Sequence, residues 1–489
     1  MAVDRMPVNP SAIIEEFNRL TPGSKRIAAE NRKVLADKSS IGMPFSPEVK
    51  EALYPIVAER AEGAYLWDVD GNRYVDILMG LGSNLFGHNP DFIRHAMEQR
   101  LTKGFPIGPQ SELAGEAAGL FCKLTGMERV TFSNTGTEAV MAAIRVARTA
   151  TGRMRIARFT NSYHGHADPV LTKAQRVEYI RRGAIERTAG RRLEVLHPLL
   201  KWLQFTRGVP SAPGVPPSVA GDVMMLDYGN PRSLEIIRRK AKTLAAVLVE
   251  PVQSGYHELQ PREFLHSLRE ITAESGIVLI FDEMITGFRI HQGGAQAHFG
   301  IEADIATYSK IAGGGMPLSI IAGRNGIMNH IDGGSWSFGD DSRPESIATF
   351  FSGTFCRHPL ALEAALATAR KLTEAGPQLQ ERLNARTAAL VERLNEHMRV
   401  ARLPVTFAAF GSFFGIARSQ SAISQRAINL LSILLLTRGV HLRGGDRAGF
   451  LSTAHSDADI DHVFNAFAGG LDTLAALGLI SPKDRSSRP

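Results

Sequence analysis

Cysteine is nearly absent: 489 residues hold two, Cys122 and Cys356, in unrelated contexts. That excludes a disulfide framework and a cysteine-based zinc site, leaves no metal site to expect, and suits a reducing cytoplasm. No apolar run approaches the length that spans a bilayer, which argues against a membrane protein. The opening MAVDRMPVNPSAIIEEF carries acidic residues where a secretory signal needs its apolar core. There is no low-complexity tract and no internal repeat. Aromatic residues make up 7% of the chain. Near the most basic stretch they are only Tyr179, Trp202 and Phe205, too scattered for a stacking platform, and no nucleic-acid motif accompanies them.

What is present is an ordinary globular composition, 44% hydrophobic and 21% charged, in a chain too long for one core. The net charge of +7 is concentrated in residues 172–209, where nine Lys or Arg face three Glu, a surplus of six. This basic insertion reads either as a solvated helical stretch or as a docking patch for an acidic partner. Residues 63–80, GAYLWDVDGNRYVDILMG, alternate either side of Asp70-Gly71 and predict a β-hairpin. Helical patterning at 90–125 is broken by GFPIGPQSE (104–112). From 128 to about 325 the short apolar runs RVTFS, RIARF, DVMML, AAVLVE and IVLIFDE alternate with helical stretches. That is the mark of an α/β fold with a large, doubly wound, mostly parallel sheet. A Gly-Ser-Asp-rich loop (332–344), a helical stretch (357–401) and a mixed remainder follow, and the tail SPKDRSSRP reads as disordered. The expected division is an N-terminal segment, 1–105, joining a smaller α+β domain; a large domain, 106–345, with the insertion 172–209; and a C-terminal small domain, 346–489.

Two runs carry the chemistry. VLIFDEMITGFR (278–289) delivers Asp282 at the end of a buried strand, where open α/β sheets build their sites. DIATYSKIAGGGMPLS (304–319) delivers Lys310 after a similar strand, twenty-eight residues further on. A lone Asp or Lys is ordinarily solvated surface. Paired at neighbouring strand ends they suit pyridoxal phosphate, which needs a lysine for its Schiff base and an acid at its pyridinium nitrogen. In VTFSNTGTEAVMAAIRVAR (130–148) a strand ends at Ser133, and a helix is expected to begin near Glu138. Gly136 would let a phosphate approach, with Thr135 and Thr137 adding hydroxyl donors; an ordinary capped helix is the alternative. Tyr163, in NSYHGHAD (161–168), is then positioned to cover a flat ring, although a lone aromatic more often belongs to a core or interface. Glu250, closing AAVLVE, is a further strand-end carboxylate. Its default role is structural, and it joins the cofactor-binding candidates.

These motifs, with LVEPVQS, GGAQAHFG and SGTFCRHPLALEAALA, resemble the class III, fold-type I pyridoxal-phosphate aminotransferases from about residue 50 to 470. The branch containing glutamate-1-semialdehyde aminomutase is the nearer one. The stretches SNLFGHNP, GPQSELAGE, LTGMERVTF, VMMLDYGNP, LQPREFLHSLREIT and FLSTAHSDADIDH are similar to aminotransferase domains of hybrid polyketide and nonribosomal peptide synthases. The resemblance implies Lys310 as Schiff-base lysine and proton shuttle, and Asp282 at the pyridinium nitrogen. It implies Thr135, Gly136 and Thr137 at the phosphate, Tyr163 over one ring face and Met284 beneath the other. It also implies a homodimer with shared sites, Thr354 reaching the neighbouring subunit's phosphate.

Departures from the family narrow the expectation. Aminomutases carry a tryptophan where this chain has Leu81 and a glutamate where it has Arg447, and their opening Pro-Val-Arg motif is missing. Small ω-amino-acid transaminases carry a gating glutamate at Gly255 and a carboxylate-binding arginine at Gly449. Arg447, two residues before Gly449, would share its face in a strand and could meet a carboxylate; a surface arginine is the alternative. The resemblance thus implies transfer of an amino group from glutamate or glutamine to a keto or aldehyde acceptor, a 3-oxoacyl thioester on an acidic acyl or peptidyl carrier protein. The alternatives are a glutamate-1-semialdehyde 2,1-aminomutase, a transaminase of a free aldehyde or keto acid, and a cofactor-binding module without turnover. A start at Met1 without a nearby carrier-domain serine motif favours a free-standing enzyme.

Overall fold

The hairpin expected around Asp70-Gly71 forms from β2 (Tyr65–Asp68) and β3 (Arg73–Asp76), with β1 (Ala58–Glu62) antiparallel to β2. This computed structural model describes residues 9–37, 41–178, 180–181, 198–199 and 206–481. The tail SPKDRSSRP (481–489) lies, after Ser481, outside the described residues, as does most of the basic insertion.

The chain divides into two compact units, one of residues up to His95 with those from Gln378 onward, the other Ala96–Pro377. The divisions expected at 105 and 345 differ from these. Helix Pro359–Ala375 packs on helix Leu113–Thr125 and so belongs to the second unit.

In the second unit the apolar runs become a seven-stranded sheet. Its strands are β4 (Arg129–Ser133), β5 (Arg155–Phe159), β8 (Val223–Leu226), β9 (Leu244–Val249), β10 (Val278–Asp282), β11 (Ile305–Tyr308) and β12 (Ser319–Gly323). They lie in the order β4-β12-β11-β10-β9-β5-β8. Only β12 runs against the others. Every residue of β8 to β12 is buried, which is why these strands are apolar along most of their length rather than alternating. The helix Gly136–Thr151 lays Ala139, Ala142, Ala143 and Ala147 among sheet residues such as Ile156, Ile280 and Ile305. Small side chains there let the helix seat closely on the sheet. A short two-stranded ribbon, β6 (Thr172–Ala174) with β7 (Gly208–Pro210), pairs the stems of the basic insertion.

The first unit is α+β and is drawn from both ends of the chain. β13 (Phe407–Phe410), β14 (Phe413–Ile416) and β16 (Ala448–Phe450) make one sheet, and β15 (Val440–His441) adds to the N-terminal hairpin alongside β3. Helix Pro10–Leu20 packs its buried Ile13, Ile14 and Phe17 against the apolar helix Gln425–Thr437.

Candidate active site

Five strands of the large sheet end at one edge, and each hands on a polar group. β10 ends in Asp282, β9 is followed by Glu250, and β11 by Ser309 and Lys310; β4 leads to Asn134–Thr137 and β5 to Tyr163 and His164. This is the carboxyl edge of the parallel strands, the edge at which such sheets bind ligands.

Asp282 is buried and held on both oxygens. His164 Nδ1 lies 2.7 Å from Oδ2, and the Met284 N–H donates to Oδ1 at 3.2 Å. Burial lowers the His164 pKa although Asp282 opposes the shift. The ring is therefore neutral, and since a carboxylate only accepts, Nδ1 carries the proton. Its Nε2 is buried without a partner among the described residues. His164 is not among the residues its motif singles out, because its partner lies 118 residues away. The available signal was its position directly after Tyr163.

Glu250 is also buried, accepting from the Tyr163 N–H at 2.8 Å and the Ser254 N–H at 3.3 Å. Burial first, and then neighbouring Asp282, push its carboxyl up to about 8, so at neutral pH it is mostly protonated. Arg158, buried beside these carboxylates, donates to the Ser162 carbonyl at 2.7 Å, and burial lowers its pKa to about 10. Lys310 opens a short 3₁₀ turn, Lys310–Gly313, with a left-handed φ of 51°. Burial lowers its pKa; Asp282 and Glu250 oppose this, and Arg289 reinforces it. Glu283, next to Asp282, faces a separate set of donors: Thr286 Oγ1 and the N–H groups of Ala295 and Gln296.

The helix expected near Glu138 starts earlier, at Gly136, because Thr135 and Glu138 form a capping box. This changes the role of Thr135. Its hydroxyl oxygen accepts from the Glu138 N–H, while Glu138 takes the N–H groups of Asn134 and Thr135. The N–H groups of Gly136 and Thr137 remain without a partner among the described residues. Gly136 sits so close to Met284 that an added Cβ would stand 2.8 Å from Met284 Sδ. Gly165, at φ +85°, likewise meets Thr137 Oγ1, which accepts from the His166 N–H at 3.3 Å. The two loops interlock, and any larger side chain at either glycine would separate them.

Of the other candidates, Tyr163 has an exposed ring, 64% accessible, on a backbone anchored to Glu250. Thr354 is exposed in the loop whose Cys356 Sγ lies 4.0 Å from Asn134 Nδ2. Leu81 and Arg447 belong to the first unit. Leu81 is 45% exposed in a left-handed turn. Arg447 precedes β16 rather than lying in it, and reaches Gln425 Oε1 at 3.4 Å. Gly449 has no space for a side chain, because a Cβ would meet the Ile77 carbonyl at 2.8 Å.

The model of the family described as Aminotransferase class-III matches residues 46–448. The chain belongs to this family. A class III aminotransferase of this length is 33% identical over 436 residues to a glutamate-1-semialdehyde 2,1-aminomutase of Chloroflexus aurantiacus, covering 85% of this chain and 90% of that one. Among solved structures it is similar to an ω-transaminase from Sphaerobacter thermophilus (28% identity, TM-score 0.78, 92% of this chain and 97% of that one). It is also similar to a β-phenylalanine aminotransferase from Variovorax paradoxus (26% identity, TM-score 0.78, 97% and 99%). Class III aminotransferases depend on pyridoxal phosphate and are generally dimeric. The residues fit that cofactor: a lysine pushed toward its neutral form, a carboxylate held ready by His164, and unpartnered N–H groups at a helix N-terminus. No helix among the described residues is long and apolar enough to cross a membrane, and none of their His, Cys, Asp and Glu groups could hold a metal ion.

Proposed function

We propose that this aminotransferase moves an amino group from glutamate or glutamine to a 3-oxoacyl group thioester-linked to an acidic carrier protein, in polyketide or nonribosomal peptide biosynthesis in the cytoplasm. The observation that carries the acceptor assignment is Leu81, exposed in its turn, where aminomutases bear a bulkier tryptophan. The resemblance implies that this departure leaves a roomier, less acidic site, which would suit an acyl chain better than a small dicarboxylic skeleton.

Bound pyridoxal phosphate supplies the covalent link for the amino group and the electron sink that makes the donor's Cα–H acidic. Lys310 would hold it, and its Nζ, released when the donor's amine takes its place and kept toward neutrality by burial and Arg289, would serve as the base for the Cα proton. Asp282 would meet the ring nitrogen, and His164 keeps that carboxylate oriented. Gly136 and Thr137 would receive the phosphate on their N–H groups. Thr135 supports that loop as helix cap. Met284 and Tyr163 would border the ring faces and limit water. Glu250 holds its own proton beside Asp282, which keeps a second full negative charge out of the site. In a homodimer Thr354, exposed on each chain, would add a hydroxyl to the neighbouring phosphate.

The 33% identity to an aminomutase favours a second reading, isomerisation of glutamate 1-semialdehyde. The two separate in one experiment: glutamate with a 3-oxoacyl carrier protein, the matching free acid, or glutamate 1-semialdehyde, followed by mass spectrometry. The proposal expects new amine on the carrier-bound acceptor. Conversion of the semialdehyde alone would overturn it.

A further inference from the structure

On the face of the large sheet that packs against helix Gly136–Thr151, Ile156, Ala246 and Val278 form a buried apolar row across β5, β9 and β10. Two residues on, side chains return to the same face. The next row toward the carboxyl edge is Arg158, Leu248 and Ile280. Two residues further stand Glu250, just past β9, and Asp282. Arg158 therefore occupies a core position, and its residue is 3% exposed. A guanidinium there is costly unless both its donors and its charge are used.

Its donors go to the loop that follows its own strand. Nη1 donates to the Val170 carbonyl, and Nη2 to the Ser162 carbonyl at 2.7 Å and to Ser162 Oγ at 3.2 Å. The peptide group between Ser162 and Tyr163 is held at its other end as well, where its N–H donates to Glu250 Oε2 at 2.8 Å. His164 follows, on Asp282. Residues 162, 163 and 164 are thus tied in turn to Arg158, Glu250 and Asp282, from neighbouring strands. Because a peptide group is planar and stiff, a shift of the Ser162 carbonyl would carry Tyr163 and His164 with it.

The charge has a use too. Arg158 makes no ion pair among the described residues. The carboxyls whose charge favours its cationic form are Glu250 and Asp282. Glu250 is mostly protonated at neutral pH and His164 is neutral, which leaves Asp282 and Arg158 as the opposite charges on this face of β5, β9 and β10.

We propose that Arg158 is a positioning residue for the transfer reaction: through the Ser162–Tyr163 peptide it keeps His164 on Asp282, and its charge offsets that of the Asp282 carboxylate. The inference rests on the reading that Asp282 meets the ring nitrogen of pyridoxal phosphate, and adds to it a buried cation behind that acid.

The test compares wild type, Arg158→Met, Arg158→Lys and Asp282→Asn, each as apoenzyme and holoenzyme. Methionine loses both donors and charge, whereas lysine keeps the charge but has no fork to reach Val170 and Ser162 together. Removing a buried positive charge favours the protonated state of a group titrating beside it. The midpoint of the holoenzyme's visible-absorbance pH titration should therefore rise by about half a unit or more in Arg158→Met, and return to within about 0.2 of wild type in Arg158→Lys. In the half-reaction with glutamate or glutamine, the limiting rate should fall about tenfold or more in Arg158→Met, while the half-saturating donor concentration changes by about twofold or less. A lower apoenzyme melting point or weaker cofactor binding in Arg158→Met, with the titration and rate of wild type, would reduce Arg158 to a loop staple and overturn the inference. Should that variant not fold, Arg158→Lys decides: a wild-type midpoint with a clearly lower rate supports the inference, and a wild-type rate overturns it. Asp282→Asn separates the two levels. If it leaves titration and rate unchanged, the placement of Asp282 at the ring nitrogen falls; a defect there with none in Arg158→Met overturns the inference alone.

Discussion

The placement of Asp282 and Lys310 at neighbouring strand ends was legible because each follows a short apolar run that can only be a buried strand. His164 was not legible, since its meaning lies in a contact with Asp282 that only the fold creates. Removing it should leave one carboxylate oxygen of Asp282 without its partner, worth about 1–3 kcal/mol. His164→Ala is therefore expected to lower kcat by about tenfold or more. It should also shift the pH dependence of the cofactor's visible absorbance, a readout that mere loosening of the loop would not move. Glu250 gives a pH prediction. Its folded pKa, about 8, lies above the unfolded value of ~4.3. Its contribution to stability is thus fully present below that unfolded value and is lost as pH rises toward 8. Glu250→Gln should flatten this part of the profile, with the variant gaining thermal midpoint relative to wild type between about pH 5 and 8. An identical slope in both proteins would assign the dependence to another group.

Among elements, the hairpin, the helical stretches and the apolar strands all follow from periodicity, and helix Gly136–Thr151 was misjudged only at its start. The capping box explains that shift: Glu138, read as the first helical residue, is the third, folding back on Asn134 and Thr135. The turn after β3 was not legible. Gly80 and Gly82 hint at left-handed backbone, but nothing local says that Met79 and Leu81 adopt it too. The cause is again distant, His441 closing on Asp76 from the far end of the chain. Asp76→Asn should destabilise the protein by about 3 kcal/mol or more, measured by chemical denaturation, because the amide cannot accept from the Leu78 and Met79 N–H groups, His88 and His441 together. The two histidines hold the Asp76 carboxyl, despite its burial, far below the usual range. Its stabilisation is present above the unfolded pKa of ~3.9 and is lost as pH falls below it, a loss the variant should lack.

At the scale of the molecule, the family and fold were legible from many motifs together, whereas the boundaries of the units were not. Helix Pro359–Ala375 reads as the start of a new domain by its helical pattern, yet packs back on Leu113–Thr125. The basic insertion mixes buried and exposed cations. Of its nine cations Arg181 is buried between Glu178 and Asp227, so it is a structural ion pair rather than part of a docking surface. Lys173, Arg176 and Arg207 are exposed. If the insertion receives an acidic carrier protein, reversing these three charges should raise the KM for a carrier-bound acceptor and weaken its dependence on salt. The KM for a short free acceptor should not move. Equal effects on both acceptors would count against the docking role.

The most direct measurement concerns Lys310. Holoenzyme treated with borohydride, digested and mapped by mass spectrometry should carry the phosphopyridoxyl group on the peptide containing Lys310, and Lys310→Ala should carry none and turn over no donor. The group on another lysine, or full activity in the Lys310→Ala variant, would contradict the account of how these strand ends work together.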